Sequence, residues 1–239
     1  MELTLGFAAV IGIAPAMILM YAVLKRYTYP ATDRPFFNDP TFFGLFVVGM
    51  IAGTIVFSVY TYFWGNTFTN AILFAVLEAM IILVVLNLRR FHGKSDTLFY
   101  GYGMGLGFGA TMSMGMTYYL ITIVTNAGGT VGALDYLILI IMAISKTMML
   151  STVGLNIGEG VARLRLIEFT AQAIFFNMVY QLVMVPWFIY SEQLYGYLAL
   201  VAGLVIAAIY FYKTTSKDIP KVIRDVLRQE GQKRNDIPK

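Results

Sequence analysis

The chain of 239 residues contains no cysteine and one histidine, His92. Without cysteine there are no disulfides, thiolate zinc sites or cysteine nucleophiles. A single imidazole excludes any site that needs two from the same chain. Charge is also scarce: 13% of the residues are Asp, Glu, Lys or Arg, while 59% are hydrophobic and the mean hydropathy is +0.73. Soluble domains are about 45–50% apolar and about 25% charged, so this chain cannot cover a water-facing surface. The composition describes an integral membrane protein with little catalytic equipment.

A helical span takes roughly 20 predominantly apolar residues to cross the ~30 Å hydrocarbon layer. Seven stretches qualify: 3–24, 41–62, 67–88, 97–124, 136–161, 167–190 and 194–212. Polar, Gly-rich or basic breaks separate them, among them KRYTYPATDRPFFNDP at 25–40 and RRFHGKSD at 89–96. The first stretch lacks a basic leader and is too long for a plain signal-peptide core, so it counts as a span. The expected fold class is an all-α polytopic membrane protein. A seven-helix transmembrane domain would occupy 1–213 and a basic amphipathic cytoplasmic tail 214–239.

Lys and Arg placement sets the expected orientation. Lys25, Arg26 and Arg34 follow span 1; Arg89, Arg90 and Lys94 follow span 3; Arg163 and Arg165 follow span 5; eight more lie from Lys213 to Lys239. The connections after spans 2, 4 and 6 carry none, so 16 of 17 basic residues share one side. The positive-inside rule then puts the N-terminus outside and the C-terminus in the cytoplasm, as a multi-pass protein of the plasma membrane. The net charge of +4 is a topology signal and implies no nucleic-acid partner. In the tail, Ile219, Val222, Ile223, Val226 and Leu227 recur at helical spacing, with Lys221, Arg224, Asp225 and Arg228 between them. That pattern predicts an amphipathic helix over 216–231, with Ser216 or Asp218 near its N-cap and Pro220 in its first turn. Such a helix either lies on anionic inner-leaflet lipids or docks a partner, or else caps the bundle.

Two ionisable residues lie deep in the apolar stretches. An ionisable group costs at least about 2.5–3.5 kcal/mol in a membrane, so each needs an explanation. Glu78 is ~16 Å along a helix axis from Arg89, and Lys146 is ~16 Å from Asp135. Both are expected near mid-membrane, paired with one another. The readings are a structural ion pair, a neutral Glu78 hydrogen-bonded to a neighbouring helix, or a site in which Glu78 serves as acid/base or polar anchor. Glycines at 101, 103, 105, 107 and 109 repeat the G-x-x-x-G spacing three times in span 4. Gly101, Gly105, Gly107 and Gly109 are therefore expected to allow close helix packing. A nucleotide loop is a poor alternative, since no βαβ unit surrounds the run. Met104, Met112, Met114, Met116, Met142, Met148 and Met149 read as adaptable filling, and no metal or cofactor is expected. Glu159 and Glu168 flank Arg163 and Arg165 as interfacial ion pairs, and Pro15 and Pro186 are expected to kink spans 1 and 6.

Four segments carry a family pattern: Leu77-Glu78-Ala79-Met80-Ile81-Ile82; FHGKSDTLFYGYGMGLGFGATMS from Phe91 to Ser113; KTMMLSTVGLNIGEGVAR from Lys146 to Arg163; and Asn177-Met178-Val179-Tyr180-Gln181. Together they resemble the PrsW family of intramembrane peptidases, relatives of the CAAX-type prenyl endopeptidases. Asp96, Tyr100, Gly101, Gly105, Leu106, Gly107 and Phe108 match its second motif in register. The family's paired glutamates and following lysine fall on Glu78, Ala79 and Ile82, and its later E-N pair falls on Met112 and Ser113. The histidine and the acid or amide of its last motif become Asn177 and Gln181, and the Lys146–Arg163 helix has no histidine. The resemblance implies a shared helical scaffold, with glutamates and histidines as the hydrolytic groups. Only Glu78 of that set remains, and one carboxylate without His or Cys makes neither a zinc site nor a Ser–His–Asp arrangement. The reading that follows is a non-catalytic PrsW-like binding or scaffold subunit of a larger membrane complex. The rivals are an active peptidase using Glu78 and a small-solute transporter or channel lined by Glu78 and Lys146. Retinal binding through Lys146 has only the helix count behind it.

Overall fold

A computed structural model describes residues 2–62, 68–190, 193–229 and 237. Each long apolar run becomes a helix, because a helix satisfies every backbone polar group within one segment. They are α1 (Glu2–Leu24), α2 (Asp39–Tyr62), α3 (Phe68–Leu86), α4 (Thr97–Asn126), α5 (Ala133–Ala162), α6 (Leu166–Ile189) and α7 (Leu194–Lys213), followed by the short α8 (Ile219–Gln229). No strand occurs among the described residues. Pro15 and Pro186 lie inside α1 and α6, neither of which is interrupted.

Six of the first seven helices are long and apolar enough to cross a membrane; α4 is not among them. Its 30 residues exceed the length needed, but alternating glycines with Thr, Ser and Tyr dilute its hydropathy. That composition follows from its position. From Thr97 to Ser113 every residue of α4 is buried, with α1, α2 and α5 packed around it. A helix enclosed by other helices does not need the side chains that a lipid-facing helix needs.

The helices alternate in direction. Gly101 of α4 lies against Gly154 of α5, and Gly109 against Thr147, an antiparallel register. Gly103 lies against Phe42 of α2 and Gly107 against Phe46, a parallel one. The Tyr102 hydroxyl donates to Leu19 O of α1 at 2.8 Å, and its ring lies 6.4 Å from that of Phe211 in α7. The C-terminal ends of α1, α5 and α7 therefore meet the N-terminal end of α4 at one end of the bundle. The turn after α3 joins them, since Gly93 N donates to Val161 O at 3.3 Å. That end collects the basic connections.

The α4 glycines permit these approaches on two sides. A Cβ on Gly105 would sit 2.8 Å from Ser151 Cα, and one on Gly109 would sit 2.8 Å from Thr147 Cα. A Cβ on Gly101 would strike Gly154 O, and one on Gly107 would strike Phe46 O. Gly101, Gly105 and Gly109 thus admit α5, and Gly103 and Gly107 admit α2.

The tail begins differently from the sequence expectation. Thr214–Asp218 form one π-helical turn that carries α7 directly into α8. Ser216 lies inside that turn, while Asp218 ends it immediately before α8 and Pro220 falls in the first turn of α8, as expected. The five apolar residues from Ile219 to Leu227 are all buried in the core, while Lys221, Arg224 and Arg228 are exposed. Asp225 pins the helix to the end of α5 through Arg163 Nη2 at 2.9 Å. The helix thus turns its apolar face into the protein and caps this end of the bundle, with its basic residues outward. Beyond Gln229 the expected 216–231 segment lies outside the described residues.

Candidate functional site

Glu78 (α3) and Lys146 (α5) meet in the interior, with Lys146 Nζ 2.6 Å from Glu78 Oε1. Glu78 is 0% exposed and Lys146 is 5% exposed. The pair is not isolated. One turn of α6 supplies two amides at i and i+4, so both lie on the face turned toward α3. Asn177 Nδ2 donates to Glu78 Oε2 at 2.9 Å and to Ala75 O at 3.0 Å. Gln181 Nε2 donates to Oε1 at 3.3 Å and to Oε2 at 3.2 Å. Both carboxylate oxygens are therefore engaged, by an ammonium and two amides. Between them on α6, Tyr180 is buried with its ring 6.0 Å from Lys146 Nζ, and its hydroxyl is 3.0 Å from Ser145 Oγ.

A buried ion pair loses solvation on both sides, and Coulomb attraction offsets that only where the remaining lone pairs are also satisfied. Asn177 and Gln181 meet that condition for Glu78. Asn177 Oδ1 stays buried without a hydrogen bond, so α6 tolerates one unsatisfied acceptor to aim both amide hydrogens at α3. Glu78, Lys146 and Gln181 themselves line a cavity of ≈ 20 Å³, together with Tyr60, Met112 and Met184, enough for about one water.

The other positions singled out in the sequence distribute as follows. Met112 lines that cavity, and Ser113 Oγ bonds to Ala143 O at 3.4 Å on α5. Ala79 and Ile82 are fully buried core residues. Arg163 pairs with Glu159 at 2.8 Å and Arg165 with Glu168 at 2.6 Å. The second pair is more than half exposed and contributes little. His92 Nε2 lies 3.0 Å from Asn87 Oδ1 at the surface, away from Glu78. Sequence reasoning missed Asn177 and Gln181 as partners of Glu78, and Tyr180 and Ser145 beside Lys146. The available signal was polar residues at i, i+3 and i+4 in the middle of α6, flanked by apolar runs at 173–176 and 182–189.

Chemically the site is rich in donors and poor in bases. Its one carboxylate already accepts four contacts within hydrogen-bonding range. Among the described residues, no three His, Cys, Asp or Glu side chains come together as a metal-binding group. Large apolar side chains such as Val10, Ile18, Val84, Ile167 and Ile209 are all more than 60% exposed, more than a water-soluble surface carries. Fold and surface together define an all-helical multi-pass membrane protein. No protein-family model, no curated protein and no solved structure matches the chain.

Proposed function

We propose that the chain is a non-catalytic, PrsW-like membrane protein that serves as a binding or scaffold subunit of a larger membrane complex. In this reading it crosses the plasma membrane seven times, with α4 as the enclosed seventh span, the N-terminus outside and the tail in the cytoplasm. The observation that carries the non-catalytic reading is the full engagement of Glu78. A general base needs a lone pair within hydrogen-bond reach of the water it activates. Here Lys146, Asn177 and Gln181 take both oxygens. The positions where the resembled family carries further catalytic groups hold Ala79, Ile82, Met112, Ser113, Asn177 and Gln181, of which the two amides act as donors to Glu78. The topology is supported by the gathering of the basic connections at one end of the bundle. The subunit role is supported by a surface that is mostly helix side, with short connections outside it.

The test is purification from its native membrane in mild detergent, followed by incubation with membrane-segment peptides. The expected result is co-purification of other membrane polypeptides in fixed stoichiometry, with no cleavage by wild type or by Glu78→Gln. Cleavage that disappears in Glu78→Gln would overturn the non-catalytic reading. A chain that elutes without other polypeptides would overturn the subunit reading.

A further inference from the structure

The C-terminal ends of α1 and α7 flank α5; α1 packs on α4 and α5, α7 packs on α5 and α6, and the two hardly touch one another. Between them a groove of ≈ 330 Å³ remains, within the about 300–1,000 Å³ range of ligand pockets. Val23 forms one wall, Ala208 and Phe211 the other, and Met148 of α5 lines it as well. Ile18 and Tyr21 on α1, and Val205, Ile209 and Tyr212 on α7, are exposed apolar residues on the flanking helices. The groove therefore belongs to the surface that hydrocarbon covers. An empty groove would forfeit the dispersion contacts of its walls, and water finds too few polar partners along an apolar wall to fill it.

The basic end of the groove is different. Arg26, just past α1, and Ser216, in the π turn after α7, line it there. Arg26 is exposed and makes no ion pair among the described residues. Its guanidinium matches phosphate oxygens in a two-pronged fashion, and a serine hydroxyl adds a donor. Lys25 adjoins Arg26 in the chain and Lys217 adjoins Ser216, so the local field favours a headgroup of net negative charge over a zwitterionic one; Lys213 lines a separate pocket with Glu159 and Asp218.

We infer that this groove is a binding site for one anionic glycerophospholipid, with a hydrocarbon chain between α1 and α7 and the phosphate on Arg26 and Ser216. The site is independent of the Glu78 cluster and of the subunit role.

The purified full-length chain in mild detergent is delipidated, then titrated with phosphatidylglycerol or phosphatidylcholine, with retained lipid read by native mass spectrometry. Wild type is expected to keep one phosphatidylglycerol per chain in preference to phosphatidylcholine. Arg26→Gln, a surface change with no ion pair to break, should weaken phosphatidylglycerol retention about tenfold and remove the preference. Ala208→Phe, which fills the groove, should abolish retention of either lipid, whereas Val205→Phe on the exposed side of α7 should not. Equal retention of both lipids by wild type and Arg26→Gln would overturn the headgroup assignment. Retention unchanged in Ala208→Phe, or a second polypeptide crosslinking at Ala208 in place of lipid, would overturn the groove.

Discussion

Removing one member of the Glu78–Lys146 pair strands the other in the interior, beside a cavity with room for about one water. Breaking a buried pair costs about 3–5 kcal/mol, and the neighbours decide where in that range each variant falls. In Lys146→Met, Glu78 keeps the amide hydrogens of Asn177 and Gln181, so a loss of about 3 kcal/mol is expected. In Glu78→Gln the ammonium of Lys146 is left with a neutral amide and the Tyr180 ring at 6.0 Å, so the loss should approach about 5 kcal/mol. For a chain of this size about 1 kcal/mol moves the melting temperature by roughly 2–4 °C. The singles should therefore melt about 6–20 °C below wild type. The double variant carries neither charge, while the introduced amide still accepts from α6. It should melt above Glu78→Gln, with a coupling energy of about 3 kcal/mol or more. The assay is thermal unfolding in detergent followed by circular dichroism or tryptophan fluorescence, since thiol-reactive dyes find no cysteine in this chain. Single losses that simply add in the double, or a single that melts like wild type, would refute the coupling.

Three further outcomes are expected. Gly105→Val drives side-chain atoms into Ser151 Cα, 2.8 Å from the ideal Cβ, and should cost about 1–3 kcal/mol by overpacking; Gly44→Ala on α2, with nothing within 4 Å, should gain roughly 0.5–1 kcal/mol, both read as melting shifts. Burial raises the Asp96 carboxyl above its usual 3.8 despite the hydrogen bond from Tyr100 at 3.0 Å. The folded state therefore binds this proton more tightly than the unfolded one, and Asp96 favours folding below 3.8 and loses that contribution as pH rises through the raised value. Asp96→Asn should remove this part of the pH dependence, and unchanged melting-versus-pH curves would contradict it. With no native cysteine as background, a single Gly128→Cys in intact cells should react with an impermeant maleimide while Lys94→Cys should not; the reverse labelling would invert the proposed topology.

The helices were legible in the sequence because the signal is local. A run of about 20 apolar residues bounded by Pro, Gly or basic clusters marks a helix before any partner is known. Each of the seven expected stretches falls on one of α1 to α7. The pairing of Glu78 with Lys146 was legible too, because two ionisable groups inside apolar helices each need a partner. The amide partners of Glu78 were not, because Asn177 and Gln181 reach it only once α3 and α6 take particular rotations about their own axes. Hydropathy carries no information about that rotation.

Composition, span boundaries and the one-sided placement of Lys and Arg belong to the sequence by itself, since each depends on residue type and order alone. Tertiary structure decided that α4 is enclosed and that α8 turns its apolar face into the protein. It also decided that two amides complete the Glu78 site and that a groove opens between α1 and α7. These depend on which helix faces which, and that follows from how closely backbones approach across the glycines of α4. Close packing is a property of pairs of surfaces, which no single stretch of sequence contains.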